Sequence, residues 1–350
     1  MNDVTQSGDI QFAHRCWLGH ATLNRPKAFN ALTHDMCRRF DAQLRTWATQ
    51  DDLATVVVTG AGDRAFCAGG DVRALWEAGP DGALTRDFFW DEYRMNRRMF
   101  RYPKAYVALA DGITMGGGVG VSAPAKFRVV TERTMFAMPE TGIGLFPDVG
   151  GSYYLSRCPG EIGVYLALTG ARIKAADLLY AGLYTHYVPS ERLAELLVAI
   201  EMEAPAAALK GFAAEPPDAP VLAPLRATID RCFAGDSIEA IRAALERDGS
   251  DWAAATLRTL DRLSPTSLKV TLRLVRAAAK LDLEDCLKME FRLVRRFMHG
   301  KDFYEGVRAL LVDKDNAPKW QPATLADVTP DMVERYFAPL SGEDELHFDD

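Results

Sequence analysis

Short apolar runs that lead into glycine and then into a helical pattern constrain this fold most. AYVALA over Ala105–Ala110 leads directly into Asp111 and Gly112, and ATVVVT over 54–59 leads into Gly60. A third run of this kind, over 127–131, has no glycine directly after it. Continuous apolar runs of this length are typical of strands buried on both faces. The helical pattern between them, in which Met36, Phe40, Leu44 and Trp47 recur every three or four residues, predicts a helix that Thr33 caps. Strand–helix alternation indicates an α/β fold.

The pattern of the chain changes near residue 190. Helical patterns rich in Ala, Leu and Arg fill 191–203, 237–246, 251–263 and 267–281, and the proline-rich EPPDAPVLAP over 215–224 predicts a linker or extended loop. The sequence therefore predicts an α/β core over 1–195 and a mainly helical region over 196–350. Within the core, a strand over 12–23 is expected to be interrupted at Gly19.

Composition excludes several classes of function. The 350 residues carry a net charge of −7, which argues against nucleic-acid binding because phosphate contacts need a basic surface. Six dispersed cysteines form no CxxC pair and no metal-like spacing, so free thiols in a reducing cytosol and no metal site are expected. No secretory signal and no apolar run long enough to cross a bilayer is visible. A cytoplasmic protein with no membrane partner is the resulting prediction.

Two glycine turns are candidates for binding negative charge. The first lies in AFCAGGD over 65–71, where Asp71 is predicted to cap a helix; the second is Gly116-Gly117-Gly118 in ADGITMGGG. An oxyanion hole needs two convergent N–H donors, and the amides of Gly70 and Gly117 are candidates. The alternative interpretation is an ordinary glycine turn before a helix for the first, and close backbone packing for the second.

Two carboxylates follow these turns on glycine- and proline-rich loops. Glu140 lies in MPETGIG and Asp148 in LFPDVGG. Both suit acid, base or nucleophilic roles, and an oxyanion site combined with carboxylates suggests acyl chemistry. Helix capping or turn formation is the alternative for both. No GxSxG elbow, P-loop or GxGxxG fingerprint is present, and Cys67 is interpreted as a small packing residue.

These residues closely resemble the crotonase, or enoyl-CoA hydratase/isomerase, superfamily. NRPKAFNAL, AFCAGGD and ADGITMGGG match its pattern in order and spacing. The resemblance implies a crotonase-like (ClpP/crotonase) spiral core of ββα units. It also implies that the amides of Gly70 and Gly117 bind the thioester carbonyl of an acyl-CoA, with Ala68 at the same substrate-binding loop.

Within that superfamily the chain resembles the 3-hydroxyisobutyryl-CoA hydrolases. The matching segments are TMGGGVGVS, MPETGIGLFPDVGG, SPTSLKVT and MHGKDFYEGVRALLVDKDNAPKW. Hydratases carry one catalytic glutamate at the position of Gly120 and a second at that of Glu140, so hydration of a double bond is disfavoured. The resemblance implies that Glu140 and Asp148 are the catalytic carboxylates and that Glu92 contacts substrate. A solvated helix position is the alternative for Glu92.

The expected reaction is hydrolysis of a short 3-hydroxyacyl-CoA thioester in valine degradation. No metal or redox cofactor is expected, and CoA is counted as part of the substrate. Glu140 is either a nucleophile or a base for water, and a homo-oligomer is possible. Two alternatives stay open. One is an enoyl-CoA hydratase/isomerase, or a hydrolase of another acyl-CoA; the other is a non-catalytic acyl-CoA-binding protein of the same fold.

Overall fold

The computed structural model describes residues 4–5, 8–341 and 344–348. Every strand among these residues belongs to one compact unit, which consists of Met1–Gly70, Arg94–Ala137 and Arg172–Val221. The strands are β1 (Val4–Thr5), β2 (Ile10–Arg15), β3 (Leu18–Leu23), β4 (Thr55–Gly60), β5 (Ala65–Cys67), β6 (Ala105–Ala110), β7 (Ile113–Met115), β8 (Phe127–Val130), β9 (Met135–Ala137) and β10 (His186–Tyr187).

The helices run through both compact units. They are α1 (His34–Thr49), α2 (Val72–Ala78), α3 (Ala83–Phe100), α4 (Gly117–Ser122), α5 (Gly151–Leu155), α6 (Ile162–Thr169), α7 (Ala175–Tyr180), α8 (Leu193–Met202), α9 (Pro205–Phe212), α10 (Leu222–Phe233), α11 (Ile238–Asp248), α12 (Asp251–Leu260), α13 (Pro265–Ala278), α14 (Leu283–Phe297), α15 (Asp302–Val307) and α16 (Pro330–Phe337). Short 3₁₀ segments cover Pro26–Ala28, Glu140–Ile143, Ser190–Arg192 and Leu325–Asp327, and a π-helical turn covers Arg308–Val312.

The strands of the first unit form two sheets. A seven-stranded sheet has the order β1-β2-β3-β4-β6-β8-β10, and a three-stranded sheet has the order β5-β7-β9. From β3 to β10 every neighbouring pair of the large sheet is parallel. Val57 and Val107 at its centre are fully buried, as expected for strands covered on both faces. The three predicted apolar runs are therefore confirmed as strands β4, β6 and β8.

The predicted strand over 12–23 is instead a hairpin, and its break lies elsewhere. The chain turns at Cys16, which has a φ of +52°, while Gly19 lies inside β3 and pairs with His14. A Cβ on Gly19 would lie 2.9 Å from the Trp47 ring, so this glycine makes room for a helix side chain. The predicted cap of α1 is confirmed, because the Met36 N–H donates to Thr33 Oγ1 at 3.2 Å.

The second unit consists of Asp71–Tyr93, Met138–Ala171 and Leu222–Asp350, and its described elements are all helical. The predicted linker ends earlier than expected, because α10 begins at Leu222. Pro224 is tolerated there because the first-turn amides of a helix have no partner within it. Each unit combines three chain segments; the division at residue 195 stays a prediction.

Candidate active site

The two glycine turns follow neighbouring parallel strands of the small sheet. Strand β5 pairs with β7, and the turns leave the carboxyl ends of these strands. Gly69 has a φ of +120°, and a Cβ on it would lie 4.0 Å from the backbone nitrogen of Gly117. The strand-containing unit therefore brings together the first loop, with Ala68 and Gly70, and the second loop, with Gly117.

The Gly117 amide is the first of α4, after Gly116 with a φ of +48°. The first amides of a helix have no acceptor within the helix and lie at the positive end of its dipole. A Cβ on Gly118 would overlap the carbonyl oxygen of Cys67, so glycine is required for the approach of α4 to β5. Close packing is therefore seen at Gly118, while the donor role of the neighbouring Gly117 amide stays a prediction.

Side chains of the same unit fix α4 through its carbonyl groups. Asn96 Nδ2 donates to the Gly120 carbonyl at 2.9 Å, and Tyr106 donates to the Val121 carbonyl at 3.0 Å. These two contacts hold the helix that begins at the second glycine turn.

The first glycine loop is fixed at both of its ends. The Leu32 N–H donates to the Gly69 carbonyl at 2.8 Å. The predicted cap of α2 is confirmed, because the Ala74 N–H donates to Asp71 Oδ1 at 3.2 Å. The backbone on either side of Gly70 is therefore held by hydrogen bonds.

The helical unit contains a separate group of buried carboxyl groups. Glu92 is 2% exposed, and Glu140 and Asp148 are each 5% exposed. Glu92 is thus no solvated helix residue. Glu92 Oε1 and Glu140 Oε2 have no hydrogen-bond partner among the described residues. Buried polar atoms are normally paired, so two unpaired oxygens need an explanation such as a ligand.

Glu140 begins the 3₁₀ segment Glu140–Ile143, which is held by tertiary contacts. The Ser264 N–H donates to the Thr141 carbonyl at 3.3 Å, and Thr141 Oγ1 donates to the Leu168 carbonyl at 3.2 Å. A Cβ on Gly306 of α15 would overlap the backbone of Ile143. This close approach depends on a glycine, and it fixes the backbone that carries Glu140.

Asp148 combines a turn with a buried side-chain contact. Its carbonyl accepts from the Gly151 N–H at 2.6 Å, and Val149 and Gly150 have φ values of +54° and +82°. Its Oδ2 accepts from the Tyr93 hydroxyl at 2.8 Å. The backbone therefore forms a turn, as the alternative interpretation held, while the side chain enters a buried polar contact.

A fourth buried carboxyl group, Glu290 of α14, holds the loop that follows Asp148. It is fully buried and accepts from the N–H groups of Gly150 at 2.7 Å and Ser152 at 3.1 Å, and also from Ser152 Oγ. Three donors on one carboxyl group favour its ionised form.

Burial changes the acidity of all four carboxyl groups. Burial, and then the nearby Asp148 charge, hold the pKa of Glu92 well above its usual range, and the same causes act on the pKa of Glu140. Burial raises the pKa of Asp148 to about 6, against the Tyr93 hydrogen bond, which lowers it. Burial raises the pKa of Glu290 to about 8, although Ser152 and Gly150 donate to it. These donors make Glu290 better able to carry charge than burial alone would allow.

Sequence reasoning missed Tyr93 and Glu290. Tyr93 follows Glu92 directly, but nothing local in the sequence indicates that it reaches Asp148. Glu290 had a readable signal: it occupies an apolar-stripe position of α14, between Leu287 and Val294, where a charged residue is unusual. Among the described residues, no group of three or more His, Cys, Asp or Glu side chains has the geometry to hold a metal ion.

Comparison with known proteins fixes the family. The family model described as enoyl-CoA hydratase/isomerase matches residues 18–337. The chain belongs to the enoyl-CoA hydratase/isomerase family. A curated family relative from Xenopus laevis is 48% identical over 98% of this chain and 92% of its own length, and one from Danio rerio is 47% identical over 93% and 88%. Both are named 3-hydroxyisobutyryl-CoA hydrolase, mitochondrial.

A solved structure supports the fold of this family member over nearly its full length. The crystal structure of a carnitinyl-CoA dehydratase from Mycobacterium thermoresistibile has a TM-score of 0.93 and 47% identity, and covers 98% of this chain and 99% of its own. The predicted α/β crotonase fold and the resemblance to the 3-hydroxyisobutyryl-CoA hydrolases are therefore confirmed.

The cytoplasmic prediction is wrong. Both curated relatives are named as mitochondrial proteins, which contradicts it. The prediction failed because free thiols and an acidic charge balance fit any reducing compartment and do not distinguish one from another. Among the described residues, no helix has the length and apolar character needed to cross a membrane.

Proposed function

We propose that this chain hydrolyses the thioester of 3-hydroxyisobutyryl-CoA to the free acid and CoA. The observation that carries the proposal is the similarity, over nearly the whole chain, to relatives named for this activity. Two buried carboxyl oxygens without protein partners among the described residues, on Glu92 and Glu140, agree with it because they leave polar atoms for a substrate.

The proposed reaction uses the amides and the carboxyl groups for different tasks. The N–H groups of Gly70 and Gly117 donate to the thioester oxygen and stabilise the negative charge that forms on it during attack. Each such donor typically contributes about 2.7–4 kcal/mol to lowering the barrier. Either Glu140 itself or a water molecule that Glu140 deprotonates attacks the thioester carbon. Collapse of the tetrahedral intermediate then breaks the carbon–sulfur bond. The water that is consumed supplies oxygen to the acid and a proton to the thiolate.

Asp148 is proposed either to recognise the 3-hydroxyl group of the substrate or to shuttle a proton to the leaving thiolate, and its acidity favours the first role. With a pKa of about 6 it is mostly ionised at neutral pH, so it accepts a hydrogen bond from a hydroxyl group. Glu92 and Ala68 are proposed substrate contacts. The raised pKa of Glu140 makes it a stronger base or nucleophile once it is ionised.

The test is CoA release from 3-hydroxyisobutyryl-CoA, followed with a thiol reagent. Wild-type protein is expected to release CoA rapidly, and Glu140→Gln is expected to lose at least about a thousandfold in kcat. The matched control is Glu201→Gln, which makes the same chemical change on α8, where Glu201 pairs with the exposed Arg15. Absence of release by wild type, or equal activity of Glu140→Gln, contradicts the proposal.

Isobutyryl-CoA, which lacks the hydroxyl group, tests the substrate class. Wild type is expected to prefer the hydroxylated thioester at least about tenfold, because a buried acceptor left unpaired is costly. Asp148→Asn is expected to reduce that preference. Equal turnover of the two thioesters by wild type leaves hydrolysis in place and refutes the role given to Asp148.

Two routes for Glu140 cleave the same bond. As nucleophile it forms a mixed anhydride with the acyl group, which water then cleaves; as base it removes a proton from the attacking water. Acid quenching during turnover, followed by mass spectrometry of the peptide that contains Glu140, separates them. An acyl adduct indicates the nucleophilic route, and its absence under rapid quenching indicates the base.

Dehydration is a second candidate, because the M. thermoresistibile structure is that of a carnitinyl-CoA dehydratase. Hydration of crotonyl-CoA tests for dehydratase or hydratase activity, and the loss of enoyl absorbance measures it. We expect none, since Gly120 has no side chain to serve as the second acid–base group. Rapid hydration without CoA release would favour this candidate.

We propose that the reaction belongs to valine degradation, that it needs no metal or redox cofactor, and that neither nucleic acid nor membrane is a partner. A homo-oligomer is proposed as well, and light scattering after size-exclusion chromatography measures it.

A further inference from the structure

The Tyr93 hydroxyl holds one oxygen of the Asp148 side chain. It donates to Oδ2 at 2.8 Å, and Tyr93 is fully buried. A hydrogen bond to an ionised oxygen is stronger than one between neutral groups. The Tyr93 hydroxyl therefore stabilises the ionised form of Asp148 more than the protonated form.

Aromatic neighbours fix the direction of this hydroxyl. The Tyr93 ring packs edge-on against Phe89, with centroids 6.1 Å apart, and against Phe291, also at 6.1 Å. Packing at this density keeps a side chain in one rotamer. The hydroxyl is thus held at Oδ2 without reorganisation.

The titratable groups around Asp148 make this donor important. They are Glu92 on α3, Glu140 on the 3₁₀ segment and Glu290 on α14, and each is electrostatically linked to Asp148. All three are acidic, and the charge on Asp148 opposes their ionisation, so Asp148 is the first of the four carboxyl groups to ionise. A neutral donor favours the ionised form without adding a charge of its own.

We propose that Tyr93 is a positioning residue for the hydrolysis, which holds Asp148 Oδ2 so that Oδ1 accepts the 3-hydroxyl group of the substrate. The inference rests on the proposed function. Its consequence is that removal of one phenolic oxygen changes both the acidity of Asp148 and the preference for a hydroxylated acyl group.

The decisive variant is Tyr93→Phe, which keeps the ring and removes the donor. In a pH profile of kcat/KM, the acidic limb is expected to move about one pH unit higher, because the ionised form of Asp148 loses a hydrogen bond. The preference for 3-hydroxyisobutyryl-CoA over isobutyryl-CoA is expected to fall about tenfold. In an Asp148→Asn background the same change is expected to have no further effect on either quantity.

The matched control is Tyr102→Phe, which also removes a tyrosine hydroxyl. Tyr102 donates to the Leu44 backbone carbonyl at 3.0 Å, so its hydroxyl serves a neutral acceptor rather than a carboxyl group. Its pH profile and substrate preference are expected to match wild type. An unshifted limb in folded Tyr93→Phe, or the same shift in both variants, overturns the proposal.

If Tyr93→Phe does not fold, 3-fluorotyrosine at position 93 retains the ring with a more acidic hydroxyl, and the limb is expected to move to lower pH; no movement overturns the proposal. Carbon-13 NMR of labelled aspartate, assigned with Asp148→Asn, follows the Asp148 titration without catalysis. If the wild type has no hydrolase activity but the pKa of Asp148 is still higher in Tyr93→Phe than in wild type, the proposed function is refuted and the effect of Tyr93 on Asp148 is not.

Discussion

Replacement of Asp148 by asparagine is expected to stabilise the protein at neutral pH while it impairs hydrolysis. Asp148 is 5% exposed and lies among acidic groups. Asparagine has nearly the same shape, and its side-chain oxygen still accepts the Tyr93 hydroxyl. The substitution therefore removes the buried charge and leaves the packing in place.

The magnitude follows from the pKa of Asp148, which burial raises from 3.8 to about 6. Below pH 3.8 the carboxyl group is protonated in both the folded and the unfolded states and adds no penalty. Between pH 3.8 and 6 the unfolded state ionises first, so stability falls by about 1.4 kcal/mol per pH unit. Above about pH 6 the full penalty of about 3 kcal/mol persists, and asparagine avoids it.

Urea unfolding of wild type and Asp148→Asn, at intervals of about one pH unit from about pH 4 to about pH 8, measures this difference. The variant is expected to gain about 1–3 kcal/mol relative to wild type between about pH 4 and about pH 7, with little further change above. Asp51→Asn, at an exposed turn, is the control and is expected to stay within about 0.5 kcal/mol of wild type at every pH. A variant that is less stable than wild type at neutral pH, or a difference independent of pH, refutes the argument.

The remaining predictions concern groups that position the site. Gly118→Ala is expected to lower kcat at least about tenfold or to prevent folding, because a Cβ there overlaps a carbonyl of β5. Gly211→Ala, where a Cβ meets open space, is the control. CoA release measures the activity of both variants, and circular dichroism measures their folding. Ser264→Ala removes the cap of α13 and a buried hydrogen-bond donor, and is expected to cost about 2–4 kcal/mol in urea unfolding, against about 1 kcal/mol for the exposed cap Ser237→Ala. Glu290→Gln places an amide donor against backbone donors, and is expected to lower kcat while KM stays within about threefold, as measured by steady-state CoA release.

The fold was predictable where the signal is local. Strands β4, β6 and β8 appear as uninterrupted apolar runs because both faces are covered, and Thr33 and Asp71 are recognisable caps because capping acts within three residues. The hairpin turn at Cys16 was missed because a non-glycine residue takes a positive φ there. Gly19 misled the prediction, since it serves a contact with Trp47 from a distant helix.

In the candidate site, too, residues with a local sequence signal were predicted and long-range contacts were missed. Glu140 and Asp148 stand out in sequence because glycine and proline surround them, and the family resemblance adds roles that geometry alone does not supply. Tyr93 lies 55 positions from Asp148, and Glu290 lies 138 positions from Ser152. Contacts of that separation depend on which helix faces meet, which no local pattern encodes.

The way these carboxyl groups are stabilised bears directly on their chemistry. Arginine or lysine beside Glu140 would favour its ionised form and lower its pKa, which would make it a weaker base and nucleophile. The observed donors to the cluster are instead neutral: the Tyr93 hydroxyl serves Asp148, and two backbone amides with the Ser152 hydroxyl serve Glu290. They favour the ionised forms of Asp148 and Glu290. At neutral pH it is mainly the charge on Asp148 that opposes ionisation of Glu140, because the pKa of Glu290 is about 8. The helical unit therefore keeps its proposed attacking group basic at a cost in stability, which is why removing charge at Asp148 is expected to recover that stability.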